Sequence, residues 1–175
     1  MDVRSRIVQA ALEVLAEGGE LTQPRVCRAA GVRQSHLTYY FPTVTDLLQA
    51  VARHSFDRLA GELGAAGRRR PASVAAGMAR ASADKRRARM MLGLVTAADR
   101  DASLKPRMRA FIKELRARIA PMLEAGGLEV SDADMAFVHT VVVGAAVLQL
   151  ARDNAEARRE ARLVLEKAVQ CVSRR

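Results

Sequence analysis

The chain has 175 residues, half of them hydrophobic, 27% charged and only 3% aromatic, with a formal net charge of +10. That is one domain or two small ones, apolar enough to bury a core and too apolar to be disordered throughout. Cys27 and Cys171 lie far apart and His36, His54 and His139 are scattered, so neither a disulfide framework nor a metal site is expected. No phosphate-binding loop, nucleophile elbow or zinc-protease motif occurs, so the chain is expected to be no enzyme and to hold no cofactor. The most apolar stretch, Phe137 to Leu150, is broken by His139, Thr140, Gly144 and Gln149 and falls short of the ~18 residues a membrane span needs. The opening MDVRSRIVQAALEVL carries Asp2 and Glu13 and has no apolar block before a cleavage site, so a cytoplasmic protein is expected.

Alanine, leucine, arginine and glutamate dominate, alternating β-branched runs are rare, and the predicted fold class is all-α. A first helix over about 3–17 places Val3, Ile7, Ala10, Ala11, Val14 and Leu15 on one stripe, and Gly18-Gly19 stops it. Thr22 caps a short helix with Pro24 in its first turn, ending at Ala30 before Gly31. A second short helix covers about 34–40, and Pro42 breaks it. Thr43, with Asp46 three residues on, caps a longer helix that reaches about Leu63. The stretch GAAGRRRP, Gly64 to Pro71, reads as a linker. Five helices follow, at about 72–83, 85–98, 104–125, 132–154 and 155–172. Pro106 suits a first turn, Pro121 should kink or end its helix, and Ser131 with Asp134 caps the next. The expected division is 1–45 and 46–175, joined through the helix at about 44–63.

The two short helices around Ala30-Gly31-Val32 form a helix-turn-helix, in which the first helix braces and the second lies in the major groove of DNA. Val26, Cys27 and Ala30 face the brace, Val32 and Leu37 anchor the second helix, and Phe41 closes the unit. Its remaining faces carry Arg33, Gln34, Ser35, His36, Thr38, Tyr39 and Tyr40, a crowding of hydrogen-bonding side chains that a core helix would not tolerate. The expected DNA-contacting set adds Thr22, Arg25, Thr43 and Thr45.

From about Arg6 to His54 the pattern LT…V…AAGV…L…YF…DLL…V resembles the TetR family of transcriptional regulators. Beyond residue 60 only length, helical content and two long C-terminal helices agree with it. The resemblance implies base contacts from Gln34, Ser35 and Thr38 and phosphate contacts from Thr22, His36, Tyr39 and Tyr40. Three positions depart from it: Thr38 where tyrosine is common, Arg33 where Ser or Thr is common, and Val44 where lysine often follows F-P-S. The functional expectation is a homodimeric repressor that leaves a palindromic double-stranded DNA operator when a small-molecule effector binds. Its alternatives are an activator or ligand-independent regulator of the same fold, or a helical small-molecule-binding protein without DNA function.

Residues 1–60 hold seven basic and six acidic side chains, whereas 68–118 hold fifteen and four. Arg68-Arg69-Arg70 is expected to keep the linker solvated, and Arg80, Lys85, Arg86, Arg87 and Arg89 to form a solvated face or to attract an acidic effector. The expected pocket comprises Met78, Met90, Met91, Leu94, Met108, Phe111, Phe137 and His139, with an anionic, apolar ligand placed near an arginine from about 100 to 118. The apolar run at Val138, Val142 and Ala145, with the stripe at Leu165 and Val169, is the expected dimer interface.

Overall fold

The computed structural model describes residues 1–64 and 71–173; the expected linker and its arginines, Arg68 to Arg70, lie outside the described residues. The helices are α1 (Val3–Ala16), α2 (Gln23–Ala30), α3 (Gln34–Tyr40), α4 (Val44–Gly64), α5 (Pro71–Ser82), α6 (Lys85–Arg100), α7 (Lys105–Ala125), α8 (Asp132–Arg152) and α9 (Ala155–Ser173). A single 3-10 turn, Ala102–Leu104, precedes α7, and no strand occurs among the described residues. The all-α expectation and its helix boundaries hold to within a few residues.

Caps explain most of those boundaries. Asp2 accepts a bond from the Ser5 backbone N–H at 2.7 Å and starts α1, a cap the residue pattern had not singled out. Ser131 and Asp134 form a reciprocal capping box at α8. Pro121 does not end α7, which runs on to Ala125.

Two compact units form, and they do not follow the expected division at residue 45. One comprises residues 1–57 and 89–108; the other comprises 58–88 and 109–175. The first takes in more chain than a bare helix-turn-helix because later residues bond to it. Arg89 of α6 donates to the Ala16 carbonyl at the end of α1, and Arg107 of α7 pairs with Asp46 at 2.8 Å. Its interior is built on Ile7, Ala11, Val26, Leu37, Phe41, Leu47 and Val51.

In the second unit α5, α8 and α9 pack on one another. Val74, Ala75, Leu123, Leu128, Met135, Val138, Val169 and Val172 make one buried cluster, and Ala145, Ala161 and Leu165 make another, with Met78 against both. A buried polar bridge crosses this interior: Gln149 Nε2 donates to Ser82 Oγ at 2.9 Å. By length and composition α8 could cross a membrane (mean hydropathy 1.6), although one side of it packs on α5 and α9.

Candidate nucleic-acid interface

The site starts from the three-helix packing of α1, α2 and α3. Pro24 occupies the first turn of α2, where its missing N–H leaves no gap. Gly31 ends α2 in a left-handed conformation, φ 62°, that a side chain would strain, and so sets the direction in which α3 leaves. Of the seven residues of α3, only Leu37 is fully buried, at 0% exposure. Phe41 seals the far end at 3%, and Arg4 lies over its ring at 5.5 Å. One deep anchor and one seal thus hold a helix whose other faces are wet.

Gln34, Ser35, His36, Tyr39 and Tyr40 are exposed, and Tyr39 reaches 79%. The Tyr39 and Tyr40 rings meet edge to face at 5.0 Å, so each limits the other's freedom. Gln34 Nε2 donates to Gln23 Oε1 of α2 at 3.3 Å. That bond leaves the Gln34 carbonyl oxygen available to accept and its second N–H to donate, the pair that matches the N6–H donor and N7 acceptor of an adenine edge. Gln23 was missed in the sequence because an i, i+11 contact across a turn has no periodic signature.

Other expected contacts are already engaged. Thr38 is half-buried, and its hydroxyl turns back onto its own helix, 3.1 Å from the Gln34 carbonyl and 3.3 Å from that of Ser35. The Thr43 hydroxyl donates to Asp46 Oδ2 at 2.7 Å, and the Asp46 N–H returns a bond to Thr43 Oγ at 3.1 Å. The capping box is therefore formed as expected, and it occupies the Thr43 proton. The Thr43 hydrogen bond, ahead of Arg107, holds the Asp46 carboxyl below its ordinary value. Thr45 is half-buried. Thr22 stands at the start of α2 without making a side-chain cap bond, which leaves its exposed hydroxyl unspent on its own helix. Arg33 and Arg25 are exposed; a Cβ on Gly19 would come within 2.6 Å of the Arg25 Cζ, so Gly19 is what lets that guanidinium lie against the loop.

The expected pocket residues are not brought together in one unit. Met90, Met91, Leu94 and Met108 belong to the first; Met78, Phe111, Phe137 and His139 belong to the second. Phe137 is exposed on α8. The described cavities, one of about 20 Å³ beside Ser82 and Gln149 and one of about 390 Å³ between α5 and the end of α9, are lined by none of the eight. The expected interface also needs correction. Val138, Ala145, Leu165 and Val169 are buried in the core of their own chain and Val142 is half-buried against it. The apolar groups left outward are Phe137 and Leu148 on α8 and Leu163 and Val164 on α9. Nor is the basic stretch uniformly a solvated face: Arg89 caps α1, Lys85 pairs with Asp153 at 2.7 Å and Arg87 with Asp84 at 3.3 Å.

This fold recurs in solved regulators. A transcriptional regulator from Rhodococcus sp. superposes with a TM-score of 0.75 at 21% identity, over 97% of this chain and 95% of that one. A TetR transcription regulator from Haloarcula marismortui gives 0.75 at 19% identity, over 98% of both chains. The multidrug binding protein EbrR, in complex with ethidium, gives 0.69 at 23% identity, over 95% of this chain and 98% of that one. The chain has the TetR fold. No family model and no curated protein sequence matches it.

Proposed function

We propose that this chain is a sequence-reading transcriptional regulator: a homodimeric repressor that binds a palindromic operator in the cytoplasm and is released by a small-molecule effector. One observation carries the reading. α3 is held by a single buried leucine and presents Gln34, Ser35, His36, Tyr39 and Tyr40 to solvent beside a left-handed turn. The TetR fold supports it, since solved proteins of that fold are transcriptional regulators. The outward apolar groups of α8 and α9 supply the dimer face, and two-fold pairing gives two reading heads about one DNA turn apart, ~34–36 Å.

The test is selection from random duplexes, followed by titration of the selected site at several salt concentrations. Gln34→Ala costs about 1–3 kcal/mol of discrimination at one base position. His36→Ala and Tyr39→Ala weaken binding to all duplexes alike, as loss of phosphate contacts does. A wild-type protein with no salt-sensitive, selective DNA affinity overturns the reading.

A further inference from the structure

Arg116 sits on α7 with its side chain half-buried, and its Nε–H donates to Nδ1 of His139 on α8 at 3.2 Å. An imidazole that accepts at Nδ1 carries its proton on Nε2 and is neutral. Burial first, and the Arg116 charge second, push the His139 pKa down and keep it so. A neutral acceptor satisfies one guanidinium N–H and cancels none of its charge. No carboxylate pairs with Arg116 among the described residues, and the nearby acid of the helix, Glu114, is held by Arg118 at 2.8 Å.

Helical spacing widens this imbalance into a surface. Arg109, Lys113 and Arg116 fall at i, i+4 and i+7, so three cations run along one edge of α7. The adjoining face carries Ile112 and Leu115, both half-buried, while Ile119 one turn on is packed against the buried cluster of the unit. A half-desolvated cation without a counter-ion is costly, and an anion that arrives with an apolar body relieves both deficits at once. With Nε engaged by His139, the two terminal nitrogens of Arg116 remain as a fork matched to a carboxylate.

We propose that Arg116, propped by His139, binds the carboxylate of an amphipathic organic acid whose apolar body lies on Ile112 and Leu115 of α7. The site deepens the effector reading above and rests on it for its regulatory meaning, but not for binding. Arg116 is the ligand-contacting residue, and His139 positions it.

The ligand titrations use the 175-residue chain without DNA. Thermal unfolding and calorimetric titration are run with octanoate, 4-phenylbutyrate, octan-1-ol, octylamine and ethidium. The acids should bind saturably, with the neutral and cationic compounds at least tenfold weaker. Arg116→Met should weaken the acids at least tenfold, and Arg116→Lys, which keeps charge but not the fork, should fall between. His139→Gln, which retains an acceptor, should stay closer to wild type than His139→Ala. Where Arg116→Met does not fold, Arg116→Lys and His139→Ala give the same ranking. Octanol, octylamine or ethidium binding as well as the acids overturns the proposal, as does acid binding indifferent to these substitutions or absent in the wild type. Selective DNA binding is measured on the same samples, so its survival when the acids fail rejects this site alone, and its loss in the wild type rejects the regulator reading instead.

Discussion

The two units carry charge in different proportion. Residues 1–57 and 89–108 carry ten basic and eight acidic side chains, while the remainder carries nineteen and eleven. In the first unit acids are fixed into the geometry: Asp2 caps α1, Asp46 caps α4, and Asp101 accepts from the Ser103 N–H at 2.9 Å to close the 3-10 turn. The second unit also fixes acids, as with Asp134 at the start of α8, but there Arg116 rests on an imidazole rather than on a carboxylate. The unit with the features of a DNA reader is thus the one closer to neutral. Bases are read by hydrogen-bonding edges such as the free side of the Gln34 amide, whereas net charge adds affinity for any phosphate backbone. On the proposed reading, overall basicity is therefore a poor guide to where the chain meets DNA.

The contrast sharpens most strongly in the second unit, between an inward and an outward leucine two positions apart on α9. Leu165 is fully buried and Leu163 is 59% exposed. Leu165→Ala should cost about 2–5 kcal/mol in urea unfolding, because it opens a cavity in the chain's own core. Leu163→Asp should keep the helical circular dichroism of the wild type and shift the light-scattering mass to a single chain. A Leu163→Asp protein that stays dimeric would move the interface away from the outward face of α9.

These two residues also show what was legible from the residues alone. Apolar periodicity marked α8 and α9 as helices that must bury a face, and both formed. It could not say which partner covers which stripe. Val138, Leu165 and Val169 therefore read as interface while they fill the core of their own chain. The first unit was clearer because its signals are local: a proline in a first turn, a glycine with positive φ, and a threonine three residues before an acid. What stayed hidden there was long-range, as in the reach of Arg89 to the Ala16 carbonyl and of Arg107 to Asp46, for which spacing along the chain carries no signal. The expected pocket residues fall in both units, Met90 in the first and His139 in the second, because helical spacing selects faces and carries no signal for tertiary grouping.

A smaller effect is expected at the start of α4. Thr43→Ala removes the cap hydroxyl and both side-chain bonds it makes with Asp46, and should cost about 1 kcal/mol in urea unfolding. It should leave base preference unchanged, because the Thr43 proton is already bonded within the chain. A lost preference would instead return Thr43 to the DNA-contacting set.

The smallest effect belongs to Arg107, which reaches the same carboxylate from α7. Its side chain is 53% exposed and that of Asp46 30%, so solvent screens the pair and Arg107→Ala should cost no more than about 0.2–1 kcal/mol. Its size matters less than its coupling. Thr43 and Arg107 act through one carboxylate, so their losses should not add, and the double variant should depart from the sum by about 0.5 kcal/mol. The sign with pH follows from Asp46, whose carboxyl is held below 3.8 in the folded chain. Its contribution is full above pH 3.8 and is lost as pH falls through the folded value. The gap between wild type and Arg107→Ala should therefore close on acidification and stay constant from pH 5 to 8. A gap that persists after Asp46 is protonated would mean that Arg107 stabilises the first unit by packing along its stem rather than by its charge.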